Sequence, residues 1–168
     1  FIRFCGTTGS DSREGYAWVP ANGDLRENDR CVFVGAAGPM GVMHTMRAVT
    51  SGVPGLSVVG TDLSDERLEN LTKVVGPTAQ KNGVPLDIVN TSSTPLEYGY
   101  TYATCLVPVP ALVSQAVDLL AEGGILNAFA GIPAGTFGDF DLQGIIERRI
   151  FMLGTSGSDV SDMRTVLR

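Results

Sequence analysis

Short apolar runs alternate along this chain with longer stretches whose apolar residues fall on helical spacing. Residues 31–34, Cys-Val-Phe-Val, form a continuous apolar run, as a parallel strand covered on both faces requires. Further runs at 56–61, 86–89, 102–107, 125–130 and 150–154 predict five more strands. After Pro39, which suits a first helical turn, Met43, Met46 and Val49 predict a helix that stops near Ser51-Gly52. Leu68, Leu71 and Val75 predict a second helix, capped by Ser64, helped by Asp65 and Glu66 in its first turn, and ending before Gly76-Pro77. Leu112, Val113, Ala116, Val117 and Leu120 predict a third over 111–122, stopped by Gly123-Gly124. A turn or helical stub is expected at 90–99, a short helix at 141–147, and a final helix capped by Ser158. Residues 1–29 carry the weakest pattern, with short strands expected at 1–5 and 16–19 around a Gly/Ser/Thr loop.

Strands alternating with helices in this way predict an α/β fold. It is a doubly wound, mostly parallel sheet of about six strands with helices on both faces. Right-handed crossovers then gather the loops that follow the strands along one edge of the sheet.

The candidate chemistry lies on that edge. Gly35, Gly38 and Gly41 punctuate the turn from the 31–34 strand into the first helix, and Asp62 closes the next strand, 24 residues after Gly38. A turn with little side chain lets a pyrophosphate approach the helix N-terminus, where unpaired N–H groups and the helix dipole favour an anion. A carboxylate at the end of the second strand accepts hydrogen bonds from a ribose diol and repels a 2′-phosphate, so NAD(H) is expected over NADP(H). Ala37 and Leu63 join the site by position, and Met40 offers the first backbone N–H after Pro39, which has none. The plainer readings are turn glycines and a helix-entry Asp. Arg67 either reaches the adenosine edge or bridges an acid on its own helix. The strand-end loops Val107-Pro108-Val109 and Ala130-Gly131-Ile132, with Thr155 and Ser156, are expected to line the cofactor groove; ordinary loop polarity is the alternative.

Composition narrows the class. At 168 residues, 43% hydrophobic and 18% charged, the chain suits one folded domain. A net charge of −6 gives no general attraction to nucleic acid or anionic membrane, and no apolar stretch approaches the roughly 20 residues of a membrane span. Cys5, Cys31 and Cys105 are scattered, which excludes a disulfide framework and fits a reducing, cytoplasmic setting. A start at Phe1 suggests a piece of a larger protein. The one histidine, His44, is expected to be an ordinary helical residue, and the only lysines, Lys73 and Lys81, leave no Tyr-x-x-x-Lys pair with Tyr98, Tyr100 or Tyr102.

From about Gly23 to Val166 the chain resembles the nucleotide-binding half of the medium-chain dehydrogenase/reductase superfamily. The likeness rests on the phosphate turn Gly-Ala-Ala-Gly-Pro-Met-Gly, the ribose segment Thr-Asp-Leu-Ser-Asp-Glu-Arg-Leu from Thr61, and Leu-Val-Pro-Val-Pro from Leu106. The run from Leu119 to Pro133 and Leu-Gly-Thr-Ser-Gly-Ser from Leu153 complete it. Within the superfamily it is most similar to polyol dehydrogenases of the sorbitol or sorbose-phosphate reductase kind. The resemblance implies a Rossmann domain over 30–168 after a lead-in at 1–29. It also implies a small alcohol, polyol or carbonyl substrate, and a homodimer paired through the free edge of the sixth strand. In the zinc-dependent members a separate domain holds a Cys/His/carboxylate site. A catalytic zinc needs three converging protein ligands, and the composition here does not offer them, so zinc belongs only to a catalytic domain outside this chain. Two rivals remain: a non-catalytic nucleotide-binding or sensing module, and an S-adenosylmethionine methyltransferase. The second usually has an acid just before the glycines, where this chain has Val32 to Val34.

Overall fold

The computed structural model describes residues 24–154 in full and the backbone of 3–5. These form β1 (Arg3–Cys5), β2 (Arg30–Val34), α1 (Pro39–Thr50), β3 (Ser57–Asp62), α2 (Asp65–Asn82) and β4 (Leu86–Asn90). They continue as β5 (Tyr100–Cys105), α3 (Pro110–Asp118), β6 (Leu120–Ala128), α4 (Leu142–Glu147) and β7 (Phe151–Gly154). The strands lie in one sheet in the order β1-β7-β6-β5-β2-β3-β4, parallel from β7 to β4, with β1 antiparallel on β7. The chain thus winds outward twice from β2, and the order reverses between β2 and β5. The expected strands at 16–19 and helix after Ser158 lie outside the described residues. Among the described residues no helix is long and apolar enough to cross a membrane.

Two apolar layers sandwich the sheet. Phe33, Val58 and Tyr102 pack beneath Ala48, Val49, Leu71 and Val75 of α1 and α2. On the other face Val32, Val59 and Ala103 pack against Val113 and Val117 of α3 and Ile145 of α4. Burial on both faces is why these strands read as unbroken apolar runs rather than alternating ones. At the entry to β2, the buried Asp29 carboxylate accepts from the Arg26 backbone N–H at 2.6 Å and from its guanidinium at 3.1 Å. The same guanidinium donates to the carbonyls of Thr101 and Gly123, so one side chain pins β2, β5 and β6 together.

The bounds of four elements and one sheet edge differ from the expectations. Helix α2 does not end before Gly76-Pro77 but runs on to Asn82 and closes on Gly83 in the left-handed conformation at φ 68°. Pro77 removes the donor to the Lys73 carbonyl, but both residues lie on the exposed side of α2, while Ala79 is buried and holds the helix down. Helix α3 ends at Asp118, not Glu122, because Arg148 donates to the carbonyls of Val117 and Leu120 and so completes the helix end. Strand β6 begins at Leu120 and carries Gly123-Gly124 inside it. Between the pairs Tyr100–Leu120 and Tyr102–Ile125 it bulges, with Gly123 at φ 71° and its N–H on the Arg148 carbonyl at 2.8 Å. Strand β5 runs 100–105 rather than 102–107, as Pro108 and Pro110 cannot donate to a ladder, and β6 stops at Ala128, where Phe129 and Ala130 both donate to the Cys105 carbonyl. The sixth parallel strand, β7, has no free edge, since β1 pairs with it from Arg3–Leu153 to Cys5–Phe151. That corrects the expected route to a dimer.

Replacing Pro77 with Ala restores a helical donor in α2 and is expected to stabilise the chain by about 1–3 kcal/mol. A rise in the denaturant midpoint with an unchanged m-value checks it; an unchanged midpoint would show that the helix already bends to absorb the proline.

Candidate nucleotide cleft

The turn after β2 is fixed by its neighbour strand. Gly35 and Ala36 both donate to the Thr61 carbonyl, at 3.0 and 2.8 Å, which ties the turn to the end of β3. Gly35 has φ 82°, and a Cβ there would sit 2.4 Å from the Val107 side chain, so both conformation and space call for glycine. Gly41, inside α1, faces the turn so closely that a Cβ would lie 2.4 Å from the Ala36 carbonyl. Gly38 is the N-cap of α1, Pro39 begins the helix, and the first helical bond is Val42 to Gly38 at 2.9 Å, which leaves the Met40 and Gly41 N–H groups ahead of it. No acidic residue lies in that first turn, so nothing there opposes the dipole's attraction for an anion.

Asp62 stands across the turn, buried. Its Oδ1 accepts from the backbone N–H groups of Leu63 at 2.8 Å and Ser64 at 3.3 Å, and its Oδ2 pairs with Arg67 Nη2 at 3.0 Å. Arg67 therefore pairs with an acid on the preceding strand, not on its own helix. The same Nη2 lies 3.4 Å from where a Cβ on Gly38 would be, so the guanidinium hangs between the carboxylate and the glycine turn. Ser64 caps α2 by accepting from the Arg67 N–H, as expected.

These groups share a cleft of about 450 Å³. It gathers Gly35, Gly38, Asp62, Leu63, Arg67, Val107 and Pro108; Ala37, Pro39, Met40 and Gly41 form the turn and helix start beside it. Val109 is not in its wall but caps α3, and Ala130, Gly131 and Ile132 follow β6 outside it. Thr155 and Ser156 lie outside the described residues. The sequence reading missed Val34, Thr61, Thr91, Leu106 and Leu112, and had Ser64 only as a helix cap; these six complete the lining. Thr91 was findable, since β4 beside β3 puts the residue after Asn90 next to Asp62, and its N–H does bond to the Asp62 carbonyl at 3.1 Å.

His44 is half-buried with its ring edge-on to Phe129, centroids 4.4 Å apart. Among the described residues no three Cys, His, Asp or Glu side chains converge on a metal-sized site. Burial pushes the Cys31 thiol up to about 12, and Cys105 is raised by the same cause, so neither serves as a nucleophile.

No family model matches the chain. It is 32% identical over 155 residues to the uncharacterized protein YggP of Escherichia coli K12, covering 85% of this chain and 36% of that one. It is 28% identical over 151 residues to mannitol-1-phosphate 5-dehydrogenase of Aliivibrio fischeri, covering 83% of this chain and 36% of that enzyme. The chain thus spans little more than a third of these curated relatives. Among solved structures, benzyl alcohol dehydrogenase from Acinetobacter calcoaceticus superposes with a TM-score of 0.67 at 18% identity, covering 86% of this chain and 40% of that one. The fold is Rossmann-like and shared with alcohol dehydrogenases. Others of these neighbours are described as complexes with NAD, NADH or NADP.

Burial, and next the charge of Arg47, hold the His44 pKa below its ordinary 6.5. The unfolded chain therefore takes up a proton first. The fold has this contribution in full above pH 6.5 and loses it as pH falls from there through the lower folded value. NMR titration of the single histidine is expected to give a midpoint below that of a model peptide, and His44→Gln to flatten the acid-side loss of stability; a midpoint at or above the peptide's would contradict both.

Proposed function

We propose that this chain binds and orients a nicotinamide dinucleotide, NAD(H) in preference to NADP(H), as the cofactor domain of an alcohol- or polyol-dehydrogenase-like oxidoreductase. The observation that carries it is the meeting, in one cleft, of a side-chain-free helix start and a buried carboxylate at the end of the adjacent strand. A Cβ on Gly38 would touch only Arg67 Nη2 at 3.4 Å and the Gly35 carbonyl at 3.7 Å, so the space above that glycine is open to a ligand.

The residues present fit such a cofactor, which when bound would supply the hydride-carrying carbon. The Met40 and Gly41 N–H groups and the α1 dipole hold its pyrophosphate. Asp62, fixed by two backbone donors and Arg67, accepts from the ribose hydroxyls, and its charge opposes a 2′-phosphate. Leu63 and Val107 offer apolar faces to the base. Residues 30–168 form this domain, and the groups that polarise a substrate, with or without zinc, belong to a part of the protein outside this chain. The free thiols of Cys31 and Cys105 suit the cytoplasm. Any homodimer must use a surface other than the edge of β7.

Calorimetric titration is expected to show NADH binding and weaker NADPH binding. Asp62→Ala should cost about tenfold or more in NADH affinity, the worth of a charge-assisted hydrogen bond. Gly38→Ala should abolish binding without lowering the unfolding midpoint, whereas Gly41→Ala should lower that midpoint. Tighter binding of NADPH would reverse the assigned roles of Asp62 and Arg67, and binding of neither would overturn the proposal for this chain.

A further inference from the structure

Asn90 closes β4 and pairs in register with Asp62 of β3. Its side-chain amide has no hydrogen-bonding position to spare. Nδ2 donates to the Leu63 carbonyl at 3.3 Å and to Asp65 Oδ1 at 2.6 Å. Oδ1 accepts from the Ser92 N–H at 2.9 Å and from the Ser92 hydroxyl at 2.6 Å. An amide offers two donors and two lone pairs, so all four are used. The Ser92 N–H also settles which end of the amide is oxygen, since a reversed amide would set donor against donor.

One of these bonds bears on the cleft. The peptide joining Leu63 to Ser64 is trans, so its C=O and N–H point in opposite directions. Its carbonyl accepts from Asn90, while its N–H donates to Asp62 Oδ1 at 3.3 Å. Turning that peptide over would break both bonds and aim a carbonyl at the carboxylate. The Leu63 side chain is 69% exposed, so packing does not hold the peptide in place. Resting on the dinucleotide reading above, we infer that Asn90 is the positioning residue for Asp62. It holds the Leu63–Ser64 peptide in the sense that orients the carboxylate, and so sets the discrimination between NADH and NADPH. It does this from outside the cleft, whose lining does not include it. Asp65 has a part beyond its place in the first turn of α2, since it anchors the amide that holds the peptide.

The test is calorimetric titration, with NADH and with NADPH, of the native chain, Asn90→Asp, Asp62→Ala and the double variant. Asn90→Asp keeps the shape of the side chain but sets a carboxylate against the Leu63 carbonyl and the Asp65 carboxylate, which releases the peptide. NADH affinity is expected to fall about fivefold, and the preference for NADH over NADPH to narrow by about the same factor. With Asp62 already replaced, the same substitution should change NADH affinity by less than about twofold, because the two residues act as one unit. Asn90→Ala leaves the Leu63 carbonyl to water and should give the same pattern at about twofold to threefold; it carries the test if Asn90→Asp does not fold. Two results overturn the inference with NADH binding intact. One is an unchanged ratio of NADH to NADPH affinity in the Asn90 variants. The other is an equal loss of NADH affinity with and without Asp62, which would mark a purely structural bond. Failure of NADH itself to bind overturns the dinucleotide reading and the role of Asn90 with it.

Discussion

The approach of α1 to the end of β2 is the constraint on which the rest of the cleft depends. Gly41 lets the helix backbone press on the Ala36 carbonyl, where any side chain would collide. That contact sets the helix axis against the strand, and the axis in turn aims the N–H groups of Met40 and Gly41 across the turn. The bonds from Gly35 and Ala36 to Thr61 then fix the turn to β3 and bring Asp62 alongside it. A looser packing would leave the donors and the carboxylate on separate surfaces. An anion site at a helix start requires both the dipole and a clear approach, and the proposed site rests on the one glycine contact that sets both.

Charge at the cleft runs against the charge of the whole. The chain carries a net −6, yet its glycine turn leads into a helix with no acid in the first turn and has Arg67 over it. Asp62 holds that guanidinium in place and is itself held by two backbone donors, so the carboxylate stays fixed. This division keeps the two charges apart within one small cleft, with the guanidinium between the carboxylate and the glycine turn. Long-range repulsion from the surface is screened beyond roughly 8–10 Å at ordinary salt, whereas these contacts act at hydrogen-bond range.

Much of this was legible in the sequence, because it lies on local pattern. The runs of Val and Phe in β2 and of Val in β3 announce strands buried on both faces, and glycine spacing with Asp62 announces the cleft's two chemical poles. What was not legible depends on partners distant in the chain. Helix α2 passes Gly76-Pro77 because Ala79 is buried on the far side, and α3 stops early because Arg148, thirty residues on, takes its last carbonyls. Gly123-Gly124 reads as a helix stop but forms a bulge, held by the Arg148 carbonyl and by Arg26. The pairing of β1 with β7 joins opposite ends of the described chain, and no local pattern carries it.

The absence of a helix between β4 and β5 shows how one short connection alters the wall of a cleft without touching its charged groups. Strand β4 still places Thr91 beside Asp62, and β5 still delivers Val107 and Pro108, so the poles of the cleft are unaffected. The change falls on the wall between them. The loop covers Val34 there with Leu96 and the exposed Tyr98 in place of a helix, and leaves a groove of about 360 Å³. The two poles of the cleft and the wall between them are thus set by different elements, the glycine turn with Asp62 for the first and the 91–99 loop for the second. They vary independently because the strands separating them are fixed by burial on both faces.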